Sequence, residues 1–241
     1  MTLTEVKFAG RVPIKVLPHR AIQHDFENWE KCLVDALIDT LKPGQIVYDI
    51  GAEQGEFTAL IGKIVGGENV HIFEPSSWYW PNIKAVWKGN DLAKPASCWA
   101  AFVGDAYRHT GIIGAEGGTY LCKSCWPDQV KGEIFQQDAF ANYIEHPFIQ
   151  VTTLDSYRVE FPKAPEVIQM DVEGCEGLVI KGATELLRLH HPTIFMELHS
   201  DTALARHGTN QEAVLDALAA LGYKCELLGR DHDDHFICLP T

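Results

Sequence analysis

Hydrophobic positions along this chain alternate between two periods, and the switches between them mark out the elements. Val6 to Leu17 alternates as a strand does, broken by Pro13 and Pro18, and reads as an edge ribbon or lid near a cleft. Asp25 then offers an N-cap to a run in which Trp29, Cys32, Leu33, Ala36, Leu37 and Leu41 recur at helical spacing, ended by Pro43-Gly44. Ile46 to Ile50 is a buried strand. Gly55 to about Val65 is a helix with Phe57, Leu60, Ile61 and Ile64 on one stripe, and Gly66-Gly67 stops it. A second strand, Val70 to Phe73, leads to a helix with Pro81 in its first turn and Ile83, Val86 and Trp87 inward. Cys98 to Val103 is the third strand. The pattern returns at Val151: Val167 to Met170 is a strand ending at Asp171, Cys175 to Leu189 a helix, and Thr193 to Leu198 a strand. Asn210 caps a helix that ends at Gly222. Lys224 to Leu228 and His235 to Leu239 then form two strands around a polar turn, Gly229 to Asp234. Strands alternating with helices predict an α/β fold with a mostly parallel, doubly wound sheet and an antiparallel edge strand. Ligands in such sheets bind beyond the C-terminal ends of the strands. Asp49, Glu74, the Trp99–Ala101 region, Asp171 and Glu197 all fall at that rim.

From Gly104 to about Gln150 the periodicity fades among glycines and scattered aromatic residues, a stretch too long for a simple connection. It is expected to be a partly β insertion over the substrate side of a single domain spanning residues 1–241, with residues 1–45 forming an N-terminal ribbon and helix.

The richest segment is Val47 to Thr58. A strand ends in Asp49, turns at Gly51 and Gly55, and opens a helix; 25 residues after Asp49 the second strand ends in Glu74-Pro75. Glycine lets the backbone turn tightly and lets a ligand approach it. A dinucleotide site usually carries three glycines as G-x-G-x-x-G, with pyrophosphate on the helix N-terminus. Here Ala52, Glu53 and Gln54 separate two glycines, and Glu53 and Glu56 would repel a pyrophosphate. Those acids suit a cation, such as a sulfonium ligand with an ammonium group. Glu74 stands where a carboxylate accepts hydrogen bonds from ribose hydroxyls. The two halves in register favour S-adenosylmethionine over NAD.

Composition narrows the choice of partner. With 46% hydrophobic and 22% charged residues the chain reads as an ordinary globular protein, and no apolar run approaches a membrane span. The N-terminus lacks a signal-peptide layout, which points to the cytoplasm. A formal charge of −13 with no basic run disfavours nucleic acid. Seven cysteines, mostly in apolar patterns, suggest buried free thiols. Cys122 and Cys125 form a lone C-x-x-C, without the second pair that a zinc site needs. The sequence leaves the oligomeric state open, a homodimer included.

Several of these segments together resemble the FkbM family of S-adenosylmethionine-dependent methyltransferases. They are Tyr48 to Gly55, Phe73-Glu74-Pro75, Thr153-Leu154-Asp155, Gln169 to Glu176 continuing through Lys181-Gly182-Ala183, and Pro192 to His199. The resemblance implies a Rossmann-like class I methyltransferase fold and O-methylation of a small-molecule or sugar hydroxyl. It places Asp49, Gly51, Ala52, Glu53, Gln54, Gly55, Phe57 and Thr58 at the methionine end of the cofactor, Glu74 and Pro75 at the ribose, and Trp99, Ala100 and Ala101 near the adenine. Asp171 belongs to both the cofactor and the acceptor sides. The family commonly has Asn at the position of Glu53 and Lys at that of Gln169.

Methyl transfer from a sulfonium needs alignment, exclusion of water and help with the acceptor proton. Asp171, Glu173, Glu197 and His199 are the candidates for that help. One of them can act as a base, His199 having the better unperturbed pKa, or together they can hold a hard divalent cation. Glu176 is expected to cap or pair within its helix. His190 and His191 suit a helix C-terminus, and Asp231 to His235 a solvated hairpin turn. The competing reading is a non-catalytic binding protein that retains the fold.

Overall fold

In the computed structural model, residues 2–76, 79–106, 108–111 and 149–241 are described. Strands β1 (Thr4–Phe8) and β2 (Val12–Val16) pair as an antiparallel ribbon. Helices α1 (Pro18–Gln23) and α2 (Lys31–Thr40) follow. The helix thus begins six residues beyond Asp25. Asp25 instead caps a turn, its carboxylate accepting from the Glu27 N–H and its carbonyl from those of Asn28 and Trp29, and Glu30 enters α2 in the left-handed region at φ 47°. Phe8, Ile14, Val16 and Leu17 of the ribbon are fully buried in one cluster with Val34, Ala59, Leu60 and Val86, so the ribbon packs on helices of the main fold.

Those helices flank a seven-stranded sheet. Its strands are β3 (Val47–Ile50), β4 (Val70–Phe73), β5 (Ser97–Trp99), β9 (Val167–Met170), β10 (Thr193–Leu198), β11 (Tyr223–Arg230) and β12 (Asp234–Pro240), in the order β11-β12-β10-β9-β3-β4-β5. Strands β5 to β10 in that row run parallel, and β12 is inserted antiparallel between β10 and the outer β11. The chain moves outward from β3 through β4 to β5, then returns to the other side of β3 with β9. The sheet therefore has its switch point between β3 and β9, where open α/β sheets bind ligands. Buried residues fill all four positions of β3, β4 and β9, as strands covered on both faces require.

Helices α3 (Glu56–Val65) and α4 (Trp80–Gly89) connect the first half. In the second half come α5 (Leu154–Glu160), α6 (Glu176–Lys181), α7 (Thr184–His190), α8 (Asp201–Leu204) and α9 (Gln211–Ala220). The single helix read over Cys175 to Leu189 is broken in two. At Gly182 a Cβ would lie 1.8 Å from the Gly104 carbonyl oxygen, and the Gly182 carbonyl accepts from the Asp155 N–H, so the chain bends there to meet two other segments. Asn210 caps α9 as read, accepting from the Ala213 N–H at 2.8 Å. His191 ends α7 in the left-handed region.

The strand read over Cys98 to Val103 divides as well. Its outer part, β6 (Phe102–Val103), leaves the main sheet and pairs in parallel with β8 (Ile149–Thr152), which in turn pairs with β7 (Arg108–Gly111). This small sheet frames the expected insertion, of which residues 112–148, with Cys122 and Cys125, lie outside the described residues. Cys225 and Cys238 face each other across β11 and β12 and are disulfide-bonded, a correction to the reading of free thiols throughout. No helix among the described residues is long and apolar enough to cross a membrane.

Candidate active site at the sheet switch point

The turn after β3 is shaped by contacts that only glycine permits. Gly51 sits at φ 91°, and a Cβ there would lie 1.7 Å from the backbone oxygen of Asp171, which follows β9. Gly55 sits at φ 88°, and its Cβ would meet the Ile83 Cα of α4 at 2.9 Å. The Gly51 N–H donates to the Phe73 carbonyl at 2.9 Å and the Asp171 N–H to the Ile50 carbonyl at 3.0 Å. The ends of β3, β4 and β9 are thereby laced around one loop.

Carboxylates converge on it. Asp49 is fully buried, one oxygen accepting from the Thr58 hydroxyl at 2.5 Å and the other, Oδ1, without a partner among the described residues. Burial pushes its pKa up to about 6, against the pull of that hydrogen bond. Glu74 is 4% exposed, and its two oxygens accept separately from the backbone N–H of Ser76 at 2.6 Å and of Glu53 at 2.9 Å. Burial outweighs those bonds and raises its pKa to about 8.

The acids at the helix start have a different partner from the one the sequence suggests. Arg20 of α1, itself buried, donates from Nε to Glu56 at 2.8 Å and from Nη2 to Glu53 at 3.0 Å, while its guanidinium lies over the Trp29 ring. Glu56 is buried in this pair and is an anchor within the protein. Glu53 remains half-exposed on the loop, held at φ 45° by Arg20 and by its N–H bond to Glu74. Nothing in the periodicity of Pro18 to Gln23 marks Arg20; its role comes from the ribbon folding back onto α3.

Other positions assigned to the cofactor divide between cleft and core. Gln54 accepts from the Asn82 side chain at 2.6 Å, and Ala52 is buried beside the turn. Phe57 turns into an aromatic cluster, edge-on to Trp29 at 5.3 Å and to Phe8 at 5.7 Å. Trp99 points inward, 1% exposed and edge-on to Tyr157, while its carbonyl accepts from the Glu74 N–H at 3.0 Å. Ala100 and Ala101 are buried, and Pro75 is partly exposed.

On the other side of the switch point, the ends of β9 and β10 bring the acceptor-side candidates together. His199 is 7% exposed. Its Nδ1 lies 2.7 Å from Glu176, and its Nε2 3.5 Å from Glu173 and 3.8 Å from Asp171. Burial alone would lower the imidazole pKa; the bonds to Glu173 and Glu176 and the charges of Glu176 and Asp171 prevail and raise it to about 11. Glu176, fully buried, also accepts from the Gly174 N–H at 3.2 Å. It therefore bonds back to the turn before its helix and orients His199. Burial and the charge of Glu197 raise the Asp171 carboxyl well above the ordinary carboxylate range. Burial and the charge of Glu30 raise Glu197 to about 8. The expected solvated turn is also partly buried: Asp234 and His235 are 7% and 0% exposed, with Asp234 bound by Arg230.

Comparison with known proteins accords with this arrangement. A profile of the methyltransferase FkbM domain matches residues 49–225. No curated protein matches the sequence. A methyltransferase FkbM from Methylobacillus flagellatus KT is similar in structure, with a TM-score of 0.50 at 17% identity over 83% of this chain and 44% of that one; this chain thus spans less than half of that relative's length. A precorrin-6y C5,15-methyltransferase from Geobacter metallireducens GS-15 also reaches 0.50, at 12% identity, over 88% of each chain. Both likenesses show the fold, that of class I methyltransferases. With the profile covering well over half of its length, the chain belongs to the FkbM methyltransferase family.

Proposed function

We propose that the protein transfers a methyl group from S-adenosylmethionine to a hydroxyl of a small molecule or sugar. The observation that carries this reading is the pair of carboxylates at the switch point, Asp49 and Asp171, each with a buried oxygen, Oδ1, lacking a hydrogen-bond partner among the described residues, that of Asp171 lying 3.8 Å from His199 Nε2. Orphaned acceptors of negative character suit a ligand that brings both positive charge and hydrogen-bond donors. The loop from Gly51 to Gly55 would hold its amino-acid end and Glu74 its ribose. When bound, S-adenosylmethionine supplies a methyl already activated on sulfur.

The chain's own residues then have to orient the acceptor hydroxyl and take its proton. His199 is unsuited to accept that proton at neutral pH, because its carboxylate neighbours keep it protonated. The imidazolium instead offsets the charge of Asp171 and Glu173 and is held in place by Glu176. The base is then Asp171, at the end of β9, whose raised pKa gives it more proton affinity than a free carboxylate. Glu197 and Glu173 flank it and shape the field around the acceptor. The acidic surface, −13 overall, supports a neutral or cationic acceptor over nucleic acid.

The test is release of S-adenosylhomocysteine from purified protein incubated with S-adenosylmethionine and a panel of polyols, sugars and hydroxylated natural-product fragments. Asp171→Asn should abolish turnover and also weaken product binding, since it removes one of the two carboxylates facing the ligand's positive charge. Binding of S-adenosylhomocysteine without turnover of any acceptor would favour the non-catalytic reading.

A further inference from the structure

A second cluster lies beside the cleft and uses residues from both ends of the chain. Glu30 enters α2, Glu197 lies near the end of β10, and His235 lies opposite Glu197 in the antiparallel register of β10 and β12. One ligating atom from each of the three lies within 4.8 Å of the other two. The residues are 8%, 6% and 0% exposed. Both ring nitrogens of His235 are buried and have no hydrogen-bond partner among the described residues. A neutral imidazole brings one donor and one acceptor into the interior, and leaving both unmet is costly unless something else occupies the space. Two buried acids with ligating atoms close to the imidazole add negative charge beside it.

We propose that Glu30, Glu197 and His235 bind a divalent first-row transition-metal ion. One imidazole and two carboxylates form a mixed nitrogen and oxygen set, which suits Mn²⁺, Fe²⁺ or Zn²⁺ better than the all-oxygen preference of Ca²⁺ or Mg²⁺. An ion there meets the free imidazole nitrogen and offsets both acids. It also ties α2 to the C-terminal hairpin through β10, so binding it stabilises the folded chain. The Glu30 N–H already donates to Asp231 in the hairpin turn at 3.2 Å, which holds these two segments in register. Glu30 and His235 both lie outside the family-matched residues 49–225, so the family match does not account for the site. It does not depend on methyl transfer in the neighbouring cleft.

The deciding experiment is titration of chelator-dialysed full-length protein with Mn²⁺, followed by electron paramagnetic resonance, with Zn²⁺ as competitor and melting temperature recorded in parallel. Wild type should take up one ion per chain, displaced by Zn²⁺, with a rise in melting temperature. His235→Gln should lose the ion. Glu30→Gln, at the less buried end of the site, should fold as wild type by circular dichroism and bind at least tenfold more weakly. Glu173→Gln, which alters the separate Asp171–Glu173–His199 group, should keep one ion. Absence of binding at millimolar Mn²⁺ and Zn²⁺ would overturn the proposal. So would an ion that survives in Glu30→Gln and His235→Gln but is lost in Glu173→Gln. Binding of S-adenosylhomocysteine by the same samples reports on the cleft separately.

Discussion

Replacing Arg20 with methionine, which keeps an unbranched apolar stem and removes the guanidinium and its charge, isolates what holds the cofactor loop. Arg20 is bonded to two acids in unequal settings. The side chains of Arg20 and Glu56 are 7% and 3% exposed at 2.8 Å, whereas that of Glu53 is 45% exposed at 3.0 Å. The exposed pair is worth about 0–1 kcal/mol. Breaking the buried one strands Glu56 without a counter-charge, at a cost of about 3–5 kcal/mol. The expected loss is therefore about 3–5 kcal/mol, nearly all of it from Glu56. For a chain of this size, with a urea slope of about 3 kcal/mol/M, the midpoint should fall by about 1–2 M. Urea unfolding followed by tryptophan fluorescence measures it. Arg20→Met combined with Glu56→Leu should recover most of the loss, because an apolar pair replaces a buried ion pair with little net cost. The recovery will be incomplete by about 0.3–1 kcal/mol, since Glu56 also favours the start of α3 through the helix dipole. A loss below about 1 kcal/mol in the single variant, or no recovery in the double, would refute the claim that Glu56 is a buried charge dependent on Arg20.

Further outcomes follow from the same geometry. Gly51→Ala places a Cβ 1.7 Å from the Asp171 carbonyl and in a positive-φ position; it should destabilise the protein by more than about 3 kcal/mol and abolish S-adenosylhomocysteine binding, and calorimetry showing a native melting temperature would contradict this. Affinity for S-adenosylhomocysteine should depend on pH through Glu74. Its folded pKa is raised to about 8, so the free protein holds this proton below that value, and a ligand needing the carboxylate should bind up to about tenfold more tightly per pH unit until about pH 8, then level off. The same sign means that the contribution of Glu74 to the stability of the free protein is largest below about pH 4.5 and is lost as pH rises to about 8; Glu74→Gln should flatten both dependences in paired titrations. Cys238→Ser should cost about 3 kcal/mol of stability by opening a short cross-strand loop, and peptide mapping without reductant should recover the Cys225–Cys238 cross-link.

The parts of this fold legible in the sequence are those specified by near neighbours. The β3 turn, α3 and the end of β4 follow from an apolar strand, two glycines at fixed spacing and a helical stripe, and Asn210 could be read as a cap because its bond is to a residue three places on. Where the reading failed, a distant contact decided. Asp25 has the chemistry of an N-cap, yet the chain turns on to Glu30 before winding, because Glu30 must reach the hairpin at Asp231. The helix after Cys175 breaks where Gly182 meets Gly104. The residue types suggest that Glu53 and Glu56 face a cationic ligand, whereas the Arg20 guanidinium of α1 bonds to both. His199 has the better unperturbed pKa for a base, whereas three acids brought to it by β9 and α6 raise that pKa to about 11. The pairing of Cys225 with Cys238 needed the register of β11 and β12, which periodicity alone does not supply.

If the switch-point loop and Glu74 form a site for S-adenosylmethionine, the affinity for its demethylated product depends on both. Isothermal titration with S-adenosylhomocysteine, run on wild type and Glu74→Ala at pH 8, tests it most directly. A single site of micromolar affinity is expected, weakened by about 1.5–3 kcal/mol, or roughly 10–150-fold, in the variant. Absence of heat from wild type, or equal affinity in the two proteins, would contradict it.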